Sequence, residues 1–61
     1  MTRKDYVLIA AAIREARAET TEFSALQNGI NRAAVTLARA LAHDNERFDR
    51  ERFLQAAGVQ S

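Results

Sequence analysis

The feature that most constrains the fold is an amphipathic stretch in the middle of the chain, residues 23–43. Its apolar residues recur at intervals of three or four, so at about 100° per residue they share one face of a helix. The residues on this face are Phe23, Leu26, Ile30, Ala33, Ala34, Leu37 and Leu41. A single helix cannot bury such a face by itself, so the rest of the chain must provide a partner for it.

The Gln27-Asn28-Gly29 segment is the weak point of this central helix. Glycine costs about 1 kcal/mol relative to alanine inside a helix, and Asn-Gly is a common turn dipeptide. One interpretation is therefore a loop over residues 20–29 with the helix beginning after Gly29. We favour a continuous helix over about residues 22–43, because Phe23 and Leu26 keep the phase of the later apolar residues. Thr20 and Thr21 in the preceding connection are suitable helix caps.

The N-terminal segment predicts a first helix over about residues 3–18. Thr2 is placed as its N-cap, and Asp5, three residues later, is placed as the acidic partner in a capping box. The residues expected to pack against the central helix share one face of this helix by their spacing. They are Tyr6, Ile9, Ile13 and Ala16, with Ala10 and Ala12 beside them.

The opposite side of this first helix is also apolar, at Val7, Leu8 and Ala11. A helix that is apolar all round is normally buried on more than one face. Two further helices in so short a chain cannot cover both faces, so we predict an oligomer interface at these three residues. The alternative is an ordinary exposed leucine on a small protein.

The C-terminal segment has the clearest local helix signals. Asp49 is placed as the N-cap of a short helix over about residues 50–57, and Gly58 follows as its C-terminal stop. Phe48 before the cap and Phe53 at the fourth helical position have the spacing of a hydrophobic staple.

Phe48, Phe53 and Leu54 are expected to form an apolar lid over one end of the helical hairpin. The last three residues, 59–61, are expected to fray. Together these patterns predict an all-α fold of one domain, residues 1–61: a helical hairpin plus a short C-terminal helix, assembled as an oligomeric helical bundle. The chain has no cysteine to form a disulfide, so self-association is the remaining way to stabilise a chain of 61 residues.

Charge and hydropathy limit the classes of function. The net charge of +1 gives no bulk attraction to nucleic acid or to an anionic membrane. The longest apolar run, residues 6–13, is far shorter than the roughly 20 residues that span a bilayer, and no signal-peptide pattern begins the chain. We therefore expect a soluble, intracellular protein that does not contact the membrane.

No catalytic, cofactor-binding or metal-binding motif is found in the sequence. There is no Gly-rich phosphate loop, no His-Glu-x-x-His motif and no nucleophile elbow. His43 is the only histidine, and its place in the last turn of the central helix favours a structural role at the negative helix end. The sequence thus predicts a protein that is not an enzyme.

Arg47, Arg50 and Arg52 form the most basic cluster and are the candidate contact for a partner or an anion. A short arginine-bearing helix also resembles a DNA-recognition helix. Interleaved carboxylates would weaken phosphate binding, and they explain the cluster as local ion pairs or a solvated face. These carboxylates are Glu46, Asp49 and Glu51.

A small anionic ligand, such as a signalling nucleotide held between subunits, is another possibility. Tyr6 would provide a ring for stacking, and several basic residues of the first helix would provide charge. The basic residues considered are Arg3, Lys4, Arg14 and Arg17. A polar rim of long side chains above the buried face explains the same pattern without a ligand.

Both ends of the chain resemble a recurring pattern in small proteins of phages and prophages. Residues 44–59, DNERFDRERFLQAAGV, resemble an ending of the form A-D-N-P-x-F-D-R-x-R-F-L-x-A-C-G-V. Residues 2–10, TRKDYVLIA, resemble the beginnings of the same proteins. This chain differs in having Glu46 in place of proline and Ala57 in place of cysteine, so any chemistry of that cysteine is lost here.

The resemblance implies an accessory protein of a phage or prophage, located in the host cytoplasm, and it does not point to any particular activity. We expect such a protein to bind a host macromolecule, for example to inhibit a host defence system. The alternatives are the small DNA-binding protein and the oligomer that binds a small anion.

Overall fold

The computed structural model describes residues 2–59 and contains three helices in that range. They are α1 (Arg3–Ala18), α2 (Ser24–Asp44) and α3 (Arg50–Ala56). No strand occurs within residues 2–59, which confirms the predicted all-α class. Over the same residues, no helix combines the length and the apolar character needed to cross a membrane.

Helix α1 begins at the predicted capping box. The Asp5 backbone N–H donates to Thr2 Oγ1 at 3.4 Å, and the Thr2 backbone N–H donates to Asp5 Oδ2 at 3.0 Å. These backbone and side-chain hydrogen bonds with Thr2 hold the pKa of the Asp5 carboxyl below its usual value of 3.8. The charged form of Asp5 is therefore favoured at the positive end of the α1 dipole.

The connection between α1 and α2 differs from the sequence prediction. No side chain caps α2, since its N-cap is Phe23, and the expectation of a threonine cap is wrong. Thr20, which follows α1, instead donates its hydroxyl to the carbonyl oxygen of Ala16 in the last turn of α1, at 3.0 Å. The Gln27 amide donates to the carbonyl oxygen of Arg17, which ties the first turn of α2 to the end of α1.

Helix α2 runs without interruption through Gly29, as the apolar phase predicted. A Cβ atom added at Gly29 would have no neighbour within 4 Å, so no other segment of the chain approaches this glycine closely. The helix ends at Asp44 with His43 exposed in its last turn, where a basic side chain suits the negative helix end.

The core is built largely from small side chains, where the three helices meet. Its buried members are Ala10, Ala34, Ala38, Phe53, Leu54, Ala57 and Val59. Four of these seven are alanine, which allows the helices to approach closely but buries little apolar surface in each residue. Larger side chains, such as Ile13 and Leu41, pack against this centre while remaining partly exposed.

The face of α2 that enters the core is rotated relative to the predicted face. Ala34 is buried as expected, but Ala38, not named among the core residues from the sequence, is the most buried residue of the helix. Phe23 and Leu26 remain 54% and 53% exposed, and Ala33 is exposed as well. Periodicity locates an apolar arc, but which part of a wide arc is buried depends on where α1 and α3 pack.

On α1, Ala10 is the residue at the centre of the contact, whereas Ala12 is exposed. The predicted place of Ala12 beside the packing face is therefore wrong. Tyr6, Ile9 and Ile13 do pack against the core, as the spacing predicted.

Helix α3 has the predicted cap, staple and stop. Asp49 accepts a hydrogen bond from the Arg52 backbone N–H at 3.0 Å. The rings of Phe48 and Phe53 lie with centroids 5.4 Å apart. Gly58 adopts a positive φ of 78°, which glycine tolerates and side-chain-bearing residues rarely adopt.

The chain beyond Gly58 does not fray at once. The Val59 N–H donates to the carbonyl oxygen of Leu54 at 2.8 Å, and the Gly58 N–H donates to that of Gln55 at 3.0 Å. This pair of bonds is a Schellman motif. Val59 is only 3% exposed, so the prediction that it frays is wrong; residues 60 and 61 lie outside the described range.

Candidate binding groove between α1 and α3

An open groove of about 360 Å³ lies between the first half of α1 and the segment that forms α3. We call it the α1–α3 groove. Its lining residues are Arg3, Tyr6, Val7, Ala10, Arg47, Phe48, Asp49, Arg52, Phe53 and Ala56. Apolar and aromatic surface dominates this lining, with a few charged groups among it, which is the usual character of a binding site.

Three aromatic rings form one wall of the groove. The rings of Tyr6 and Phe48 meet edge to face, with centroids 4.7 Å apart and planes at 67°. Phe53 continues the row on the far side of Phe48. The Asn45 side-chain amide donates to the Tyr6 hydroxyl at 3.4 Å and helps to fix the ring. Such edge-to-face packing keeps the wall rigid, so little side-chain entropy is lost when a ligand contacts it.

The charged lining is predominantly positive. Arg3 comes from α1, Arg47 from the α2–α3 connection and Arg52 from α3. The one carboxylate is that of Asp49, and its Oδ1 atom already accepts the capping hydrogen bond from the Arg52 N–H. Three guanidinium groups beside aromatic rings favour a ligand that is partly apolar and carries negative charge.

The structure brings together two of the three arginines predicted as a partner or anion contact. Arg47 and Arg52 line the groove, whereas Arg50 is exposed and does not belong to the lining. Helix α3 has only seven residues, a length of roughly 10 Å. That is short for a DNA-recognition helix.

The predicted oligomer interface on α1 is exposed and borders the groove. Val7 lines the groove and is 59% exposed, and Leu8 is 69% exposed. Ala11 is also exposed, on the side of α1 away from the core. The exposure agrees with the predicted direction of these side chains, and the role as an oligomer interface stays a prediction.

The basic residues considered for a small anion do not form one cluster. Arg3 lines the groove beside Tyr6, but Arg17 is fourteen residues farther along α1 than Arg3, roughly 21 Å away. The Arg17 Nε–H donates to Asn31 Oδ1 at 2.6 Å, and its guanidinium lies against Gly58. Arg17 therefore links α1 to α2 and to the turn that follows α3, and it serves the fold.

The groove is chemically suited to binding. Its lining combines apolar and aromatic side chains with arginines, which is a combination suited to contacting a partly apolar, negatively charged ligand. Within residues 2–59, no group of three histidine or carboxylate side chains is arranged to hold a metal ion.

The groove as a whole could not have been located from the sequence, although Arg47 and Arg52 were singled out. Arg3, Tyr6, Val7 and Ala10 repeat at intervals of three and four, which shows only that they share a side of α1. Their meeting with residues 47–56 depends on how α3 folds back onto the hairpin.

No protein-family model, no curated protein and no solved structure matches this chain. Function is therefore inferred from the chemistry of the α1–α3 groove.

Proposed function

We propose that this chain is a non-enzymatic accessory protein of a phage or prophage that binds a host protein through the α1–α3 groove. The observation that carries the proposal is the juxtaposition of an aromatic wall with three arginines from separate segments. Aromatic and arginine side chains are the residue types that contribute most to protein–protein affinity.

The groove suggests the chemistry of the partner. An apolar side chain of the partner would fill the space between Tyr6, Phe48 and Val7, while neighbouring carboxylates would pair with the arginines. Arginine binds carboxylates through two parallel hydrogen bonds, which gives orientation as well as affinity. Leu8, beyond the edge of the groove, would extend the apolar contact.

The phage or prophage origin is supported by the resemblance at the two ends of the chain. Every residue that lines the groove falls within residues 2–10 or 44–59, the two segments that carry this resemblance. A shared binding surface would account for the recurrence of both segments in one group of proteins. Arg47 stands at a variable position of the pattern, so we expect it to tune the choice of partner.

Capture of partners from a lysate of the bacterial host tests this function, if matched variants accompany the wild type. Val7→Glu removes apolar surface and adds a negative charge, and Arg52→Glu reverses a charge in the groove. Arg39→Glu makes the same charge change on an exposed position of α2, away from the groove.

The proposal predicts one host protein that is retained by the wild type and Arg39→Glu and lost with both groove variants. Retention by all four proteins, or loss with Arg39→Glu alone, would contradict it. Circular dichroism of each variant shows whether the helices are intact.

A second candidate function is binding of a small anion that carries a planar ring, such as a nucleotide. The volume of about 360 Å³ is within the range of small-molecule sites, and Tyr6 lies beside Arg3 there. Calorimetric titration with adenosine and guanosine nucleotides tests it; binding that disappears in Tyr6→Ala and Arg3→Ala supports this candidate over the protein partner.

Binding to DNA or RNA is distinguished by its salt dependence. Neutralising several phosphates makes the logarithm of the association constant fall linearly with the logarithm of the salt concentration. Fluorescence anisotropy with a labelled duplex, at two or more salt concentrations, therefore separates nucleic-acid binding from a partly apolar protein contact.

A further inference from the structure

An apolar surface along α2 and its N-cap residue Phe23 is left largely uncovered by the chain itself. We call it the α2 stripe, and its residues are Phe23, Leu26, Ile30, Ala33, Leu37 and Ala40. Phe23 and Leu26 are more than half exposed, Ala33 and Ala40 are exposed, and only Ile30 and Leu37 are partly buried. No charged residue interrupts the stripe between Phe23 and Ala40, and Asp44, one turn farther along the same side of α2, ends it.

The α2 stripe is centred on a different side of the helix from the face that enters the core, although Leu37, at its edge, also packs against the core. Ala34 and Ala38 direct α2 into the core, and the middle of the stripe lies about 90° around the helix from them. The α1–α3 groove contains no residue of α2, so the two surfaces are separate. A helix with so wide an apolar arc is expected to be covered on both parts of that arc.

We propose that a second copy of this chain covers the α2 stripe, with the two α2 helices packed antiparallel about a twofold axis. The axis passes between positions 31 and 32. In this register Phe23 lies opposite Ala40 of the second copy, and Ile30 lies opposite its Ala33. Leu26 then meets Leu37.

The register makes the stripe complementary to itself. Phe23 and Ile30 each face an alanine, so these large side chains fill the space that the small ones leave, while Leu26 and Leu37 pack against each other. A twofold interface requires that the same patch fit its own copy, and this alternation of large and small residues satisfies the requirement. The antiparallel arrangement also places opposite ends of the two helix dipoles side by side.

The composition of the core gives a second reason for a copy of the same chain. Four of the seven buried residues are alanine, whereas Phe23 and Leu26 lie outside the core. Chains of this size usually need an additional source of stability, and disulfides are excluded because the chain has no cysteine. An uncharged surface offers no electrostatic selection for a foreign partner, in contrast to the arginine-lined groove.

Cysteine cross-linking tests the register directly, since no native cysteine interferes. Ala33 lies opposite Ile30 of the second copy but close to the axis, so the two copies of residue 33 are neighbours across the interface, with Cα atoms roughly 6 Å apart at an interaxial distance of about 8 Å. That spacing permits a disulfide. Ala33→Cys is therefore expected to form a disulfide-linked dimer rapidly under mild oxidation, and Arg39→Cys, on the polar side of α2, is the matched control.

Light scattering over a dilution series provides the complementary measurement. The wild type is expected to have the mass of a dimer at micromolar concentrations, and Leu26→Arg is expected to have the mass of a monomer. Leu26 is 53% exposed, so its substitution should leave the helical circular dichroism spectrum intact.

Three results would overturn the proposal. The first is a wild type that is monomeric at all accessible concentrations. The second is cross-linking of Ala33→Cys and Arg39→Cys at equal rates. The third is cross-linking of Leu8→Cys without cross-linking of Ala33→Cys. The last result would place the oligomer interface on α1, at the residues predicted from the sequence. The proposal is independent of the groove, so loss of host-protein binding in the groove variants leaves it unaffected.

Discussion

Replacing Asp49 by alanine removes the one side-chain acceptor that begins α3. Its carboxylate accepts the Arg52 N–H at 3.0 Å, and loss of an N-cap of this kind costs about 1 kcal/mol. Unfolding entropy of about 2.1 cal/mol/K per residue gives roughly 0.13 kcal/mol/K for 61 residues. A loss of about 1 kcal/mol therefore lowers Tm by roughly 8 °C, a large shift because the chain is small.

The assay is thermal unfolding followed by circular dichroism at one fixed protein concentration, since association makes Tm depend on concentration. Asp49→Asn retains a side-chain acceptor and is expected to keep most of the wild-type Tm. Gln55→Ala, on an exposed position of the same helix, is expected to change Tm little. Wild-type melting of Asp49→Ala, or an equal loss in Asp49→Asn, would refute the capping role.

Four further substitutions test the core, the two glycines and the α1 cap. Phe53→Ala should lower the free energy of unfolding by about 3–5 kcal/mol, close to the whole stability of a small domain, because Phe53 is only 5% exposed. A variant that remains folded by circular dichroism would contradict this. Gly29→Ala should raise Tm through helix propensity worth about 1 kcal/mol, since the added Cβ meets nothing within 4 Å. Gly58→Ala should lower Tm, because φ at this position is +78° and the added Cβ would lie 3.1 Å from Arg17 Nη1. Shifts of Tm in the same direction for both glycine variants would contradict the assignment of Gly29 to a helix interior and Gly58 to a helix stop. The lowered pKa of Asp5 stabilises the fold above the usual value of 3.8, and this contribution is lost as pH falls through the folded-state pKa. The Tm difference between wild type and Asp5→Asn should therefore shrink between neutral pH and about pH 2, and a pH-independent difference would contradict the linkage.

The local features of the fold could be predicted from the sequence. Asp49, Gly58 and the Thr2–Asp5 pair act on backbone groups within a few residues of themselves, so their spacing alone identifies them. The continuity of α2 through Gly29 followed from the phase of the apolar residues on either side. These predictions succeed because each depends on contacts inside one helix or at its end.

The division of apolar surface between core and exterior could not be predicted in the same way. The arc of α2 is wider than the contact that α1 and α3 make with it, so periodicity included Phe23 and Leu26 with the buried residues. The small size of Ala34 and Ala38 permits close helix packing and decides which part of the arc is buried. Val59 was expected to fray because the sequence does not show that it folds back against Leu54.

Only part of the candidate groove could be predicted from the sequence. Arg47 and Arg52 are near each other in the chain, and their local cluster was visible. Arg3 is more than forty residues away from them, and the edge-to-face contact of Tyr6 with Phe48 joins equally distant segments. Such long-range contacts require the packing of α3 against α1, which no single helical pattern specifies.

The most direct test of the α1–α3 groove as a binding surface for a host protein is photo-cross-linking in the bacterial host. A photoreactive amino acid at Val7 would lie at the edge of the groove, and one at Arg39 would report on the opposite, polar side of α2. We predict a cross-linked adduct with one host protein from position 7 and none of that mass from position 39. Adducts with the same host proteins from both positions, or only adducts between copies of this chain from position 7, would contradict the proposed function.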